Sequence, residues 1–275
     1  MEFVWFLLLA GSLWLEILGF YNLGEQQNLE NSDIQEEKRE KVWEDIKVFY
    51  ANILYTNTNY EGLKNTIREE NPDLIVLVEF SNEHEIAMKD FFKEDYPYVN
   101  RNSWSEKLAG DIIFSKYPLI EVKRERIKGA WDYSTVQVKI PWKRDLLNLY
   151  VVHTAAPVSP NNYEMRNIQL EKLQNDFIGK DHEEHEKIMI IGDFNLSPWS
   201  FQYQTLINTI GEFVENAFKQ KNMTYTWSWN GSKLFMTHID HLFVSKTVLV
   251  KDLEVKDLSG SDHRYFSFEI EYEKE

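Results

Sequence analysis

The fold is decided by residues 188–200, IMIIGDFNLSPWS. The apolar run at 188–191 ends at Gly192, after which Asp193 and Asn195 follow. A short apolar run bounded by glycine and polar turn residues predicts a buried strand whose end reaches the surface. Because α/β folds build their sites at the carboxyl ends of strands, Asp193 and Asn195 are candidate functional residues. Taken alone, the same pattern also fits an ordinary turn.

Strand and helix patterns alternate before this stretch. Residues 46–54 have a strand-like pattern, a helical spacing follows and stops at Asn71, and 74–78 is a continuous apolar run. A continuous apolar run is typical of a strand that is buried on both faces. The β–α–β order predicts neighbouring strands in one sheet, with Asn52 and Glu79 emerging close together at their ends.

The same alternation continues towards the C-terminus. A strand-like run at 146–154 reaches His153 near its end, and Ser200 is placed to cap a helix. From residue 223 onward the patterns become those of strands, beginning with alternating threonine and aromatic residues at 223–229. Asp240 stands at the head of one of these predicted strands. The chain is therefore predicted to be α/β, with polar residues at several strand ends.

Composition limits the classes of protein that fit this chain. Its 275 residues suffice for one large α/β domain, and a hydrophobic content of 43% predicts a folded protein. There are no cysteines, which excludes disulfides, a thiolate zinc site and a cysteine nucleophile. The net charge of −15 gives no long-range attraction for polyanions. It disfavours a broad basic groove for nucleic acid, although a bound divalent cation can offset the charge locally.

The first residues have a different character from the rest. Residues 3–21, FVWFLLLAGSLWLEILGFY, are mostly apolar and approach the roughly 20 residues that span a bilayer. Glu16 interrupts this stretch, and burying its carboxyl group inside a membrane costs free energy. Residues 1–23 are predicted to be a single membrane span or an interfacial anchor. The sequence does not determine on which side of the membrane the rest of the chain lies. The alternative is an apolar helix docked on the domain or on a partner. Residues 24–45 are polar and predict a linker, so the folded domain is expected at 46–275.

Polar residues stand at the ends of most apolar runs. They are Asn52, Glu79, His153, Asp193, Asn195, Asp240, Asp262 and His263. Each alone fits a turn, a strand cap or a core histidine, but together they are the residue types that a Mg²⁺-dependent phosphoester hydrolase needs. Mg²⁺ prefers oxygen ligands from one or two carboxylates, water and substrate phosphate. An aspartate beside a histidine, here Asp240 near His263, would fix one tautomer of the imidazole and stabilise its charged form.

The order of these residues resembles that of a known family. Asn52 and Glu79 come first, followed by GDIIFSKYPL, His153-Thr154, GDFN, IDH and GSDH. This ordered set resembles the endonuclease/exonuclease/phosphatase superfamily, which includes deoxyribonuclease I and exonuclease III, over about residues 46–272. The form GDFNLSPWS, with TYTW and GSDHR downstream of an apolar N-terminus, is similar to a bacterial membrane-associated branch of that superfamily.

The resemblance implies a fold and a metal site. The fold is a four-layer α/β sandwich, in which two mixed β-sheets pack face to face with helices on the outside, preceded here by the apolar N-terminal helix. The implied metal is Mg²⁺, with Mn²⁺ as an alternative. Its implied ligands are Asn52, Glu79 and Asp262.

The resemblance also implies catalytic roles. Asp193 orients or deprotonates the attacking water, and Asn195 positions the water and the phosphate. Asp240 and His263 form a pair whose histidine contacts the scissile phosphate or serves as an acid or base, and His153 contacts the phosphate. In-line attack on phosphorus needs a placed water, a charge sink and a stabilised leaving group, so the residue types agree with these roles. Which group takes the proton stays open.

The predicted function is metal-dependent hydrolysis of phosphoester bonds, with the phosphodiesters of a nuclease-like substrate as the first choice. The alternatives are a lipid-headgroup or small-molecule phosphodiesterase or phosphatase at a membrane, and a non-catalytic binding module on the same fold. The sequence has no recognisable helical insertion or tyrosine-bearing loop for gripping duplex DNA, which together with the net charge argues against that substrate. No protein partner is implied.

Overall fold

The structure is a computed structural model that describes residues 45–100, 110–126, 134–178, 186–220, 224–229 and 235–272. The apolar segment predicted at 1–23 lies outside these residues, as does the predicted linker at 24–45 except for its last residue. No helix within the described ranges is both long and apolar enough to cross a bilayer.

The first large sheet contains six strands, which are numbered along the chain. They are β1 (Ile46–Asn52), β2 (Leu74–Phe80), β3 (Tyr98–Val99), β4 (Gly110–Ser115), β13 (Val248–Asp257) and β14 (Arg264–Tyr272). Their order across the sheet is β13-β14-β1-β2-β4-β3. β1 pairs parallel to β2 and antiparallel to β14, so the sheet is mixed.

The second large sheet also contains six strands. They are β5 (Ile120–Arg126), β6 (Ser134–Trp142), β7 (Asp145–His153), β8 (Lys187–Asp193), β9 (Val214–Asn216) and β12 (Asp240–Ser245). Their order is β5-β6-β7-β8-β12-β9. β7 pairs parallel to β8, whereas β12 pairs antiparallel to β8, so this sheet is mixed as well.

Helices and a short hairpin complete the described part of the chain. The helices are α1 (Tyr60–Glu70), α2 (Asn82–Asp95), α3 (Pro160–Ile178) and α4 (Phe201–Ile210), with a 3₁₀ turn at Ala217–Gln220. The hairpin consists of β10 (Trp227–Ser228) and β11 (Met236–Thr237). Ser200 caps α4 by accepting a hydrogen bond from the Tyr203 backbone N–H, as its position in the sequence predicts.

Alternation along the strands divides the core into three apolar layers. Val48 and Tyr50 of β1 face the second sheet and pack with residues such as Leu149 and Met189. The alternate residues of the first sheet pack against α1 and α2, through side chains such as Phe49, Leu77, Leu63 and Phe92. The opposite face of the second sheet packs against α3 and α4, through side chains such as Tyr150, Ile190, Leu170 and Leu206. The predicted sandwich of two mixed sheets with flanking helices is therefore confirmed.

One predicted strand is much shorter than its pattern suggests. Within the described part of this stretch, residues 224–229, only Trp227 and Ser228 form a strand. The Thr226 hydroxyl instead accepts hydrogen bonds from the backbone N–H groups of Ile239 and Asp240. Alternating threonine and aromatic residues favour a strand, but here the threonine holds the start of β12.

Candidate active site

The candidate site forms where three strands of the second sheet meet. In the pairing register His153 of β7 lies opposite Asp193 of β8, and Asp193 lies opposite Asp240 of β12. All three side chains are buried. A Cβ at Gly192 would lie 1.8 Å from the carbonyl oxygen of Val152. The close approach of β7 and β8 therefore requires glycine immediately before the site aspartate.

The first sheet contributes Asn52 and Glu79 from the ends of β1 and β2. Glu79 has a left-handed φ of 62°, and the pairing of β2 with β4 shifts register between Leu77 and Phe80. A bulge of this kind changes the direction in which side chains point, and here Glu79 points to Asn52. The Asn52 Nδ2 donates to Glu79 Oε1 at 3.0 Å and to Asp193 Oδ2 at 3.1 Å. This amide thus joins the two sheets at the site.

Asp240 and His263 form the predicted aspartate–histidine pair. The Nδ1 of His263 lies 2.9 Å from Asp240 Oδ2, and its Nε2 lies 3.7 Å from Asp193 Oδ2. Burial lowers the pKa of a histidine, but the carboxylates of Asp240 and Asp193 outweigh it and raise the pKa of His263 to about 10. The Tyr50 hydroxyl donates to the other Asp240 oxygen at 2.7 Å. The imidazole is therefore oriented and held in its charged form at neutral pH.

Asp193 occupies the centre of the site. Its Oδ1 accepts a hydrogen bond from the Asn195 backbone N–H at 2.8 Å. Asn195 has a left-handed φ of 48°, and its Nδ2 donates to the Thr154 carbonyl at 2.9 Å. Burial and the neighbouring Asp240 carboxylate raise the pKa of Asp193 above its usual range. The turn after β8 thus fixes a carboxylate with unusual affinity for a proton.

His153 has a carboxylate neighbour of its own. Its Nδ1 lies 3.5 Å from Asp111 Oδ1, and its Nε2 lies 3.9 Å from Glu79 Oε1. Burial lowers the pKa of His153, but Asp111 and the more distant Asp193 and Glu79 raise it to about 9. The site therefore holds two charged imidazoles, one on either side of Asp193.

Asp262 is the predicted site residue whose side chain has no hydrogen bond to the other predicted site residues among those described. Its Oδ2 accepts a hydrogen bond from the Trp227 indole Nε1 at 2.8 Å. Its Oδ1 is buried and has no hydrogen-bond partner within the described ranges. In the same ranges Asp262 has no hydrogen bond to Asn52 or Glu79, the two residues with which it is predicted to share a metal.

Two residues of the site were not predicted from the sequence. Asp111 stands in the quoted run GDIIFSKYPL, at the start of β4, so a signal was available in the motif. Tyr50 is an ordinary apolar-run residue by its sequence context, and its hydroxyl acquires a role only because Asp240, 190 positions away, comes to lie beside it.

The donor set is suited to a hard divalent cation. Asp193, Asp240 and His263 have side-chain N and O atoms that lie within 4.8 Å of one another. Because the His263 imidazole is charged at neutral pH, only the two carboxylates of this group could bind a cation there. Glu79 adds a third carboxylate, joined to Asp193 through the Asn52 Nδ2 group, which donates to both. Asn52 itself could bind a cation only through its Oδ1, which accepts a hydrogen bond from the Leu54 backbone N–H. Oxygen donors dominate this group, as Mg²⁺ and Mn²⁺ prefer. The Glu79 side chain is 20% exposed, so the site opens to solvent on this side.

The chain is similar in sequence to a known protein family and to a curated relative. Residues 49–263 match the model of the Endonuclease/Exonuclease/phosphatase family. The chain is similar to sphingomyelinase C 2 of Leptospira interrogans serogroup Icterohaemorrhagiae serovar Lai (strain 56601), at 22% identity over 250 residues. That match covers 74% of this chain and 40% of the relative, so the chain spans less than half of the relative's length.

Solved structures share the fold. Humanized TDP2 of D. rerio matches with a TM-score of 0.68 and 17% identity, covering 82% of this chain and 98% of that one. A beta toxin mutant from Staphylococcus aureus with bound magnesium ions matches with a TM-score of 0.62 and 17% identity, covering 84% and 100%. At such identities these likenesses establish a common fold and no more.

Proposed function

Because the chain belongs to the endonuclease/exonuclease/phosphatase family, we propose that it is a Mg²⁺-dependent hydrolase of phosphodiester bonds. The observation that carries the proposal is the position of Asp193. Its Oδ2 lies 3.1 Å from Asn52 Nδ2 and 3.7 Å from His263 Nε2, so one carboxylate borders both the predicted metal ligands and the aspartate–histidine pair. Such an arrangement suits attack by water on phosphorus.

Asp193 is the proposed acceptor of the proton of the attacking water. Its raised pKa gives it more affinity for a proton than an ordinary aspartate has. His263, with a pKa of about 10, already carries its proton at neutral pH and is a poor base. The Asn195 backbone fixes the direction of the carboxylate, because its N–H donates to Asp193 Oδ1.

The imidazoles of His153 and His263 are proposed to stabilise negative charge on the phosphate. His263 and His153 carry positive charge at neutral pH because of their raised pKa values. Donors of this kind stabilise the negative charge that develops on phosphate oxygens in the transition state. Asp240 and Asp111 keep the rings charged and oriented, and Tyr50 in turn holds Asp240.

Asn52 and Glu79 are the proposed holders of the metal, with Mn²⁺ as an alternative to Mg²⁺. Asp262 stays a predicted further ligand, supported by its buried and unpartnered Oδ1 among the described residues. A bound divalent cation would supply positive charge to the phosphate oxygens. The magnesium ions of the beta toxin structure, which has the same fold, support this choice of metal.

Two candidate functions fit this site, and they differ in their substrate. A nuclease-like activity is the prediction from the sequence, whereas a lipid-headgroup phosphodiesterase at a membrane is favoured by two specific observations. A relative by sequence is named a sphingomyelinase. The net charge of −15 opposes the approach of a long polyanion but does not repel a zwitterionic headgroup. Membrane association through residues 3–21 is part of this second proposal.

The test is a direct comparison of substrates with the full chain. The chain is incubated with Mg²⁺ and plasmid DNA, single-stranded RNA, or sphingomyelin or phosphoinositide in detergent mixed micelles, beside an Asp193→Ala variant. Turnover of lipid that is lost in the variant, without cleavage of nucleic acid, supports the lipid candidate. Cleavage of DNA or RNA that is lost in the variant supports the nuclease. Equal activity in the chain and the folded variant would refute both.

A further inference from the structure

Charge is absent from the two segments that leave the catalytic strand ends. Residues 154–163 follow His153 and contain no charged side chain, and neither do residues 194–211, which follow Asp193. In the whole chain 27% of residues are charged and the net charge is −15. These uncharged segments therefore stand out from a surface that is otherwise rich in carboxylates.

The same segments expose large apolar side chains. Trp199 and Phe201 are each 80% exposed, Val158 is 82% exposed and Tyr163 is 44% exposed. The Gln202 Nε2 donates to the Tyr163 hydroxyl, so the starts of α3 and α4 are adjacent. We call Val158, Tyr163, Trp199 and Phe201 the aromatic rim.

This exposure is not the result of loose packing. Leu196 and Leu206 flank Trp199 and Phe201 in the sequence and are fully buried. The cap of α4 by Ser200 fixes Phe201 as the first residue of the helix. The segment thus buries most of its apolar residues but leaves Trp199 and Phe201 on the surface, where large exposed apolar side chains that lie close together mark an interaction site.

We propose that the aromatic rim docks on the surface of a neutral, zwitterionic lipid bilayer. Tryptophan and tyrosine prefer the interface between water and lipid, because one part of each ring system is apolar and another is polar. Anionic lipids attract proteins through clusters of lysine and arginine, and neither uncharged segment contains one. The occupant that fits is therefore a surface without net charge.

A groove beside Trp199 extends this surface. It has a volume of about 400 Å³, and its apolar lining includes Pro198, Tyr203, Ile207, Val214 and Phe218. Its two charged lining residues, Glu215 and Lys219, pair with each other at 3.1 Å. The groove thus offers no unbalanced charge that would repel a neutral lipid.

Docking would place the mouth of the site against a membrane. His153 and Asp193 begin the two segments that carry the rim, so a bilayer on the rim lies at the same end of the sheet as the site. This consequence rests on the proposed function, with a membrane lipid as the substrate; the docking itself does not require catalysis. Residues 3–21, for which membrane contact is predicted, would keep the domain near such a surface.

A probe at a single cysteine tests the docking in the full chain. The chain has no cysteine, so Phe201→Cys carries one environment-sensitive nitrobenzoxadiazole label. The control is Leu249→Cys, because Leu249 is also exposed, at 47%. It pairs with Glu271 near the far end of β14, whereas the site residue His263 lies just before the other end. Both variants carry Asp193→Asn, so that turnover does not alter the vesicles.

The probe responses distinguish the occupants. With phosphatidylcholine vesicles we expect the emission of the label at 201 to shift to the blue and to be quenched by nitroxide-bearing lipids, with no change at 249. Adding Trp199→Ser should reduce the shift. The proposal is overturned if the label at 201 does not respond, whether or not the chain sediments with the vesicles, or if both labels respond equally. It is also overturned if the label at 201 shifts without lipid as the protein concentration rises, which would indicate a second copy of the chain.

Discussion

Two buried carboxylate clusters in this molecule differ in how their charge is balanced. Glu70 at the end of α1 accepts hydrogen bonds from Lys256 Nζ at 2.8 Å, Ser267 Oγ at 2.9 Å and the Tyr265 hydroxyl at 3.0 Å. Burial raises its pKa, but these donors outweigh it and lower the pKa to about 2. Asp193 at the candidate site instead lies beside a second carboxylate, and its pKa is raised.

The difference separates a structural carboxylate from a functional one. At Glu70 donors surround the charge, so folding is favoured by keeping the group ionised. At the site the partners of Asp193 among the described residues are an amide, a backbone N–H and imidazoles that other carboxylates share. Such incomplete compensation is typical of catalytic groups, and a bound cation would complete it.

The largest expected effect is on the rate of hydrolysis. Asp193→Asn should lower kcat about 10³-fold, because it removes the proposed proton acceptor. It should not lower the free energy of unfolding, because the substitution removes repulsion from Asp240. Steady-state kinetics on the substrate that the comparison of DNA, RNA and lipids selects, and urea unfolding, measure the two effects.

The matched control for this change is Asp90→Asn, the same substitution at an exposed position of α2. It should leave both the rate and the stability unchanged. If Asp193→Asn unfolds the protein while its rate per folded molecule stays normal, Asp193 belongs to the structural class of Glu70 and the comparison fails.

The second effect concerns the metal. A ligand that binds only the folded chain stabilises it by about 2.7 kcal/mol when present at 100 times its Kd. We expect Mg²⁺ to raise the melting temperature of the unaltered chain and a chelator to abolish its activity. Glu79→Gln should lose most of this rise, because it removes a proposed ligand, whereas Glu70→Gln should retain it. An equal rise in the two variants would remove Glu79 from the metal site.

The sequence predicts the parts of the site that follow from local patterns. An apolar run that stops at Gly192 predicts the strand end at Asp193, and a β–α–β order predicts that Asn52 and Glu79 are neighbours. The structure bears this out, since the Asn52 amide lies 3.0 Å from Glu79 Oε1. Four layers were expected from the family resemblance, and the three core layers agree with them.

What the sequence does not predict depends on distant pairing. The partners of Glu70 in β13 and β14 are 186 to 197 positions away, and no local pattern connects them. The sequence does not predict the left-handed conformation of Glu79 either. Glutamate rarely adopts this conformation, and here it occurs at the bulge in β2. Asp111 has an ordinary interpretation as the first polar residue of a strand, until β7 brings His153 to it.

The third effect is on stability at neutral pH. Glu70→Gln should lower the free energy of unfolding by about 2 kcal/mol, because it removes the charge that the neighbouring donors stabilise. The activity per folded molecule should not change, since Glu70 lies outside the site. Urea unfolding at pH 7 measures the first and initial rates the second. A loss of activity without a loss of stability would reverse the assignment of the two clusters.

The smallest effect is the difference in unfolding free energy between the unaltered chain and Glu70→Gln at acidic pH. The folded pKa of Glu70, about 2, lies below the ordinary value of 4.5. Its contribution to stability is therefore complete above about pH 5 and is lost as the pH falls towards 2. The difference in unfolding free energy between the unaltered chain and Glu70→Gln should shrink steadily from pH 5 to pH 3, in a series of urea titrations. A difference that stays constant over this range would mean that the glutamine loses packing or hydrogen-bond geometry instead of charge, and the donors around Glu70 would then not be what distinguishes it from Asp193.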